Sequence, residues 1–316
     1  MKKFYSLIIA CIFPFMAWAQ GTAQVDGLEY KLSSDQTAEV SRYVGTSADM
    51  VIPGSITYDG TTYTVTGIVD EAFKGNSVVR TAVIAASVDH IGLSAFEECS
   101  KLYQVTFEEG SRLETISSSS FATCTNLTKV VFAEDCALTY IGNSAFTACP
   151  SIKELKFPSS LRTIDFYAFG ECTSLKEFTF GDNAQLTSIE PFAFNSCSAL
   201  AVVNLPASLT SIADMAFTSC KSLNVINSAI AEPFSIGEAF DYGSKQTLYV
   251  PAGTKAKYQA ASGWKRFKNI EEKDMAVEGI VTDAAADAAI YDLQGCRVTS
   301  PVRGEVYIRD GKKIIF

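Results

Sequence analysis

Ile91-Gly92-Leu93-Ser94-Ala95-Phe96-Glu97-Glu98-Cys99-Ser100-Lys101-Leu102-Tyr103-Gln104-Val105-Thr106-Phe107 returns, with its anchors unmoved, as Ile164-Asp165-Phe166-Tyr167-Ala168-Phe169-Gly170-Glu171-Cys172-Thr173-Ser174-Leu175-Lys176-Glu177-Phe178-Thr179-Phe180. Nearly the same line is written eight times between Ile68 and Phe240. Its recurring Phe stands at Phe73, Phe96, Phe121, Phe146, Phe169, Phe194 and Phe217, so the steps are 23 or 25 residues. Self-similarity at this period marks a solenoid, because one unit cannot bury its apolar face alone and stacked neighbours close a continuous core. The two step lengths have one source. Short connectors run as Phe157-Pro158-Ser159-Ser160-Leu161-Arg162-Thr163-Ile164, and long ones insert two residues, as in Phe132-Ala133-Glu134-Asp135-Cys136-Ala137-Leu138-Thr139-Tyr140-Ile141. A Leu or Val keeps its place three residues before the Ile (Val88, Leu113, Leu138, Leu161, Leu186, Leu209), so the slack belongs to a surface loop.

Segments such as Leu102-Tyr103-Gln104-Val105-Thr106-Phe107 alternate apolar and polar residues and predict short half-buried strands, side by side in a parallel sheet. The Ile-x-x-x-Ala-Phe-x-x-Cys stretch is too short for a long helix and predicts a single helical turn. Pro191 starts that turn in its unit, where a missing N–H costs nothing. The small Ala lets the turn approach the sheet, and the Phe fills the space between layers. Thirteen of the 21 Phe residues occupy such inward slots, so the aromatic richness is core rather than a base- or sugar-stacking surface.

The unit Ile-x-x-x-Ala-Phe-x-x-Cys-x-x-Leu-x-x-Val-x-Phe-Pro-x-Ser-Leu, over residues 68–240, resembles the BspA-like (Treponema-type) leucine-rich repeat family of bacterial surface proteins. Val51-Ile52-Pro53 and Tyr58-Asp59-Gly60-Thr61-Thr62-Tyr63-Thr64-Val65 are similar to that family's lead-in. Thr247-Leu248-Tyr249-Val250-Pro251, continuing through Gly263-Trp264 and Ile270, is similar to its closing unit. The resemblance implies a β-rich solenoid of the α/β leucine-rich repeat class. One parallel strand per coil is expected, with short helical turns or 3-10 segments on the other face and a β-hairpin N-terminal cap. It also implies a scaffold without a shared active site. The partner it implies is a protein: a host extracellular-matrix or plasma protein, or another bacterial surface.

Met1-Lys2-Lys3, an apolar run and Ala17-Trp18-Ala19 read as a signal peptide cleaved after Ala19. Lipidation at Cys11 is disfavoured, because the apolar region before it would be very short. No transmembrane segment is expected downstream. The chain is thus expected to be exported, to the cell surface, the outer membrane or the periplasm. Removing Lys2 and Lys3 takes the formal charge from −9 to −11, which disfavours nucleic acid and anionic membranes as partners. The chain divides into a 1–19 signal peptide, a 20–67 β cap, a 68–246 solenoid, a 247–273 closing unit, a 274–287 linker and a 288–316 β tail. Tyr291-Asp292-Leu293-Gln294-Gly295 and Val306-Tyr307-Ile308 in the tail resemble the C-terminal β-modules of exported Bacteroidetes proteins. Some of these are sorting signals; a small β-appendage is the alternative.

Cys99, Cys124, Cys149, Cys172, Cys197 and Cys220 hold one slot in six consecutive units. They are expected to point inward as free thiols. Coils stacked roughly 4.7–4.9 Å apart are within disulfide reach, but parallel Cβ vectors oppose the required torsion. Cys136 and Cys296 break the pattern and are expected to be exposed. His90 is the only histidine, so serine- and cysteine-protease constellations and His-rich zinc sites lose their base or ligands. Phosphate-binding glycine loops and calcium loops have no match. We assign no catalytic residue, metal or cofactor, and expect a non-catalytic, monomeric binding protein.

Between the inward positions each strand presents two residues on the open face of the sheet. One row is Gln104, Lys129, Glu154, Glu177, Val202 and Val225; the other is Thr106, Val131, Lys156, Thr179, Asn204 and Asn227. Both rows lack aromatic anchors, and their mixed polarity suits a broad protein contact. A rival glycan-binding role calls for an exposed aromatic row. A hydrolase calls for a cleft gathering carboxylates from separate units.

Overall fold

Stacking the period-two segments gives a parallel ladder. The computed structural model describes residues 21–273 and, as backbone, the strands Ile290–Tyr291, Arg297–Val298, Val306–Arg309 and Lys312–Ile315. The readings of the signal peptide, Cys11, the 274–287 linker and Cys296 lie outside the described residues. Strands Gln104–Phe107 and Lys129–Val131 pair in parallel with Val105 beside Val130, and Glu154–Phe157 pairs with Glu177–Phe180 with Leu155 beside Phe178. The chain is therefore a β-solenoid of the expected leucine-rich repeat type. No helix among the described residues is long and apolar enough to cross a membrane.

Each connector ends in a second, two-residue strand: His90–Ile91, Thr115–Ile116, Tyr140–Ile141, Thr163–Ile164, Ser188–Ile189 and Ser211–Ile212. These form an unbroken parallel ladder that starts on the cap strand Thr61–Ile68. Two residues are too few to show an alternation, so only the recurring Ile announces this ladder.

Between Ile and Cys the chain closes i→i−3 hydrogen bonds of 3-10 type, from Ala95 N–H to Gly92, Glu97 to Ser94 and Cys99 to Phe96. They do not propagate into helix, because Ser94 (φ 53°) and Glu98 (φ 60°) adopt the left-handed region. The intervening amides instead point along the stack: Ser94, Phe96 and Glu98 donate to carbonyls of Ser118, Ser120 and Ala122 in the next coil. Successive amides in this stretch thus find their acceptors alternately within the coil and in its neighbour.

The recurring Phe side chains, Phe73 through Phe240, stack ring on ring with centroids 4.6 to 5.3 Å apart. Where the third copy has Ser120 in place of Ala, its buried hydroxyl donates towards the Gly92 and Ser117 carbonyls at 2.8 and 2.7 Å. All six ladder cysteines are free and buried. Each thiol donates to the carbonyl of the Phe one coil back, as Cys99 to Phe73 at 3.1 Å and Cys197 to Phe169 at 3.2 Å. Burial pushes the Cys149 and Cys220 thiols up to about 12.

Cys136 corrects the expectation of exposure, being 2% exposed. The two extra residues of its connector are taken up before it. Asp135 reaches back to accept the Gly110 N–H, and Ala137 N–H bonds Ser111 of the previous coil. Cys136 therefore falls into an inward slot beside Leu138, and its thiol too is raised by burial.

The cap supplies both ladders with their first strand. Gly21–Val25, Leu28–Leu32 and Thr37–Tyr43 form an antiparallel meander, and Thr37–Tyr43 then pairs in parallel with Thr61–Ile68. Ser55–Tyr58 folds back on Thr61–Ile68 through Asp59 and Gly60, both at positive φ (48° and 75°). Asp49–Ile52 leads the long-strand ladder by pairing with Thr81–Ile84. At the far end Thr247–Pro251 and Asn269–Lys273 extend the sheet, with the helix Lys255–Ala260 between them. Trp264 is fully buried and donates its indole N–H to the Phe234 carbonyl, while Phe267 packs 5.4 Å from Phe240 and closes the ring stack. In the tail, Ile290–Tyr291, Arg297–Val298, Val306–Arg309 and Lys312–Ile315 pair antiparallel.

Two outcomes follow from this core. A thiol-alkylating reagent at pH 8 should leave Cys149, Cys172, Cys197 and Cys220 unmodified in native protein and modify them in denaturant; ready native modification contradicts the packing. Phe169→Ala, which empties a slot between Phe146 and Phe194, should cost about 3–5 kcal/mol in denaturant unfolding.

Candidate binding face

Register in the long-strand ladder turns sequence spacing into adjacency. Gln104 lies beside Lys129, Glu154 beside Glu177 and Val202 beside Val225; Thr106 lies beside Val131, Lys156 beside Thr179 and Asn204 beside Asn227. The twelve expected positions thus form two rows on one face, with Lys129, Glu154, Lys156 and Glu177 exposed and the rest half-buried. The rows extend further than the repeat pattern indicated. Thr81 and Val83 precede Gln104 and Thr106, preceded in turn by Asp49 and Val51 from the cap, and Thr247 and Tyr249 follow Val225 and Asn227.

The ladder is interrupted twice, between Lys129–Val131 and Glu154–Phe157 and again between Glu177–Phe180 and Val202–Leu205. Both interruptions fall where a coil with a long connector is followed by one with a short connector. Two extra residues displace the end of the first strand, and the shorter coil above does not follow. Phe132, just after its strand, and Phe180, which ends its own, are accordingly half-buried, whereas Phe107, followed by another long coil, is 2% exposed. Thus eleven of the thirteen assigned Phe positions are fully inside.

At the first interruption the face opens into a concavity of about 530 Å³. Its lining includes Lys129, Val131, Glu154, Lys156, Glu177 and Thr179, six of the residues singled out from sequence. Tyr103 also lines it and is 50% exposed. It stands one residue before the predicted row, which hid it; an aromatic directly after the repeat's Leu, where other units have Thr128, Lys153, Lys176 or Ala201, is the signal for it. A smaller concavity of about 240 Å³ adjoins, sharing Lys156. Lys156 pairs with Glu134 of the long connector at 2.9 Å, and this pull lowers the Glu134 carboxyl below its ordinary range. Lys129 and Glu154 form no ion pair among the described residues.

His90 belongs to a different place, the joint between cap and solenoid. Glu39, Gly67 and His90 lie in one row of adjacent strands. Because Gly67 has no side chain, the imidazole reaches across it to Glu39 (Nε2 to Oε1, 3.0 Å) while Nδ1 meets Asp89 at 2.6 Å. A Cβ on Gly67 would lie 2.0 Å from the ring. Two carboxylate acceptors favour the imidazolium, and the hydrogen bond to Glu39, followed by that to Asp89, raises the His90 pKa to about 9 against the cost of burial. Glu39 is lowered by the same contact. No group of three or more His, Cys, Asp and Glu side chains among the described residues is placed to hold a metal ion.

A family model described as a BspA type leucine-rich repeat region, in 6 copies, matches residues 55–138 and 139–256. Among solved structures, the T. pallidum leucine-rich repeat protein matches at 22% identity and a TM-score of 0.48, covering 77% of this chain and 100% of its own. A leucine-rich cell surface protein from Faecalibacterium prausnitzii A2-165 matches at 18% identity and a TM-score of 0.39, covering 80% and 95%. A leucine-rich repeat protein from Bacteroides capillosus ATCC 29799 matches at 24% identity and a TM-score of 0.35, covering 58% and 96%. No curated protein matches the chain.

The joint at His90 has a defined pH dependence. Its folded pKa lies above the unfolded value, so its stabilisation is full below about 6.5 and is lost as the pH rises through about 9. His90→Gln should cost about 1 kcal/mol at pH 6, the side chain being 37% exposed, and close to nothing at pH 9.5. Denaturant unfolding at the two pH values checks this; an equal loss at both contradicts the imidazolium assignment.

Proposed function

The chain belongs to the BspA-type leucine-rich repeat family, and we propose that it is an exported, non-catalytic adhesin or interaction module that binds proteins through the strand face of its solenoid. The architecture is that of a protein-interaction module, and its family is one of bacterial surface proteins. The partner is a host extracellular-matrix or plasma protein, or the surface of another bacterium. Export rests on Met1-Lys2-Lys3 and the apolar run that follows them. The observation that carries the reading is the 530 Å³ concavity at the first interruption of the ladder, where Lys129 and Glu154, in no ion pair among the described residues, stand with exposed Tyr103. Mixed charges around Tyr103 and the half-buried Phe132, on an open and shallow surface, suit a wet protein contact more than an enclosed small molecule. Glu154 and Glu177 are brought into register, but on this open face they have neither the enclosure nor the neighbouring base that hydrolysis calls for.

A pull-down of a panel of purified host matrix and plasma proteins tests the reading. Binding should occur to at least one member and fall at least about tenfold for Lys129→Glu/Lys156→Glu. Undiminished binding by that variant moves the site off the strand face.

A further inference from the structure

The turn that carries the left-handed residues has an outer edge, and its side chains vary sharply along the stack. In two consecutive coils the three residues after the Ile are Ser117-Ser118-Ser119 and Gly142-Asn143-Ser144; in the next two they are Asp165-Phe166-Tyr167 and Glu190-Pro191-Phe192. Phe166 is 41% exposed, and its ring lies 5.6 Å from Phe192 and 6.1 Å from Tyr167. Tyr167 and Phe192 occupy left-handed positions (φ 55° and 60°) that the earlier coils fill with serine, a smaller residue better suited to that region. Phe166 is exposed and Tyr167 and Phe192 are only half-buried, and backbone preference does not account for rings at these positions. They add nothing to the continuous core, since the inward Phe169 and Phe194 already fill it.

Carboxylates border the rings. Asp165 accepts the Tyr140 hydroxyl, Glu171 accepts the Tyr167 hydroxyl at 2.8 Å, and Glu190 accepts the Ser188 hydroxyl. All three acids thus accept neutral hydroxyls, and none forms an ion pair with a lysine or arginine among the described residues. Arg162, two residues before Ile164 in the same coil, instead donates to Gln185. The Tyr140 hydroxyl is raised to about 12, first by burial, then by Asp165, with a contribution from Glu190, so these two acids act on one spot.

A partly exposed aromatic cluster, with Phe166 outermost, beside acids that form no ion pair among the described residues is complementary to a guanidinium, which stacks on a ring while its N–H groups meet carboxylates. The geometry points to a second docking surface on this turn edge, centred on Phe166, Tyr167 and Phe192, that receives an arginine-bearing polypeptide segment of its partner. A neutral glycan would use the rings and leave the acids uncompensated, so the charge distribution favours the peptide. The surface lies on the turn edge, apart from the strand rows, and neither depends on the other.

Fluorescence anisotropy with a labelled peptide of alternating arginine and serine, at 150 mM salt, tests it. Wild-type protein should bind the peptide at least about tenfold more tightly than the same peptide with citrulline for arginine. Phe166→Ser/Tyr167→Ser/Phe192→Ser keeps every charge and uses the residue that other coils carry in this run, so folding should survive, as circular dichroism will verify. That variant should lose at least about tenfold in affinity, and Asp165→Asn/Glu190→Gln a similar amount. Equal binding by wild type and the serine variant, or equal binding of the citrulline peptide, overturns the proposal. So does binding of maltohexaose, lost in the serine variant, without peptide binding. The peptide assay involves no matrix protein, so failure here leaves the strand-face reading standing, and the converse holds.

Discussion

Coil-to-coil register is the constraint on which the molecule rests. Amides of Ser94, Phe96 and Glu98 donate to the next coil, and the same arrangement repeats along the stack. A hydrogen-bonded neighbour at strand spacing leaves no freedom in what fills the space beneath it. A Phe must therefore sit on a Phe, an Ile beside an Ile and a Cys beneath the carbonyl of the Phe one coil back. Stability in such an array is a sum of coil and nearest-neighbour terms, which is why its two ends need covering. The cap does this by continuing both ladders, and Trp264 and Phe267 do it by closing the ring stack.

That constraint also explains what could be read in advance. Residues repeating because the stack demands it, such as Phe121 or Cys172, announce their burial by repetition alone. Cys136 did not, because position within an insertion says nothing about which residues of the loop absorb the extra length; Asp135 and its bond to Gly110 settle that only in three dimensions. The interruptions of the strand ladder were present in the alternation of long and short connectors, although their consequence depends on the order, long before short. Tyr103 and Phe166 were visible as letters but not as exposed rings. Each stands one or two residues from an anchor, where side-chain direction depends on the local turn.

Shape and the proposed recognition are consequently divided between two sets of residues. The inward set is nearly constant from coil to coil and supplies a rigid scaffold. The outward set varies and carries charge: Lys129, Glu154 and Lys156 on the strand face, Asp165 and Glu190 on the turn edge. His90 lies outside this division. It ties the cap to the first coils across the space left by Gly67, using the only imidazole in the chain for a structural contact.

The division is tested most directly by reading the same alanine substitutions twice, by thermal midpoint and by affinity for a bound matrix or plasma protein. Inward positions such as Ile141, Phe146 and Leu175 should lower the midpoint by several degrees, in proportion to the buried volume removed. Outward positions such as Tyr103, Lys129 and Glu154 should leave the midpoint nearly unchanged while weakening binding. Outward substitutions that unfold the solenoid, or that leave affinity intact throughout, would contradict it.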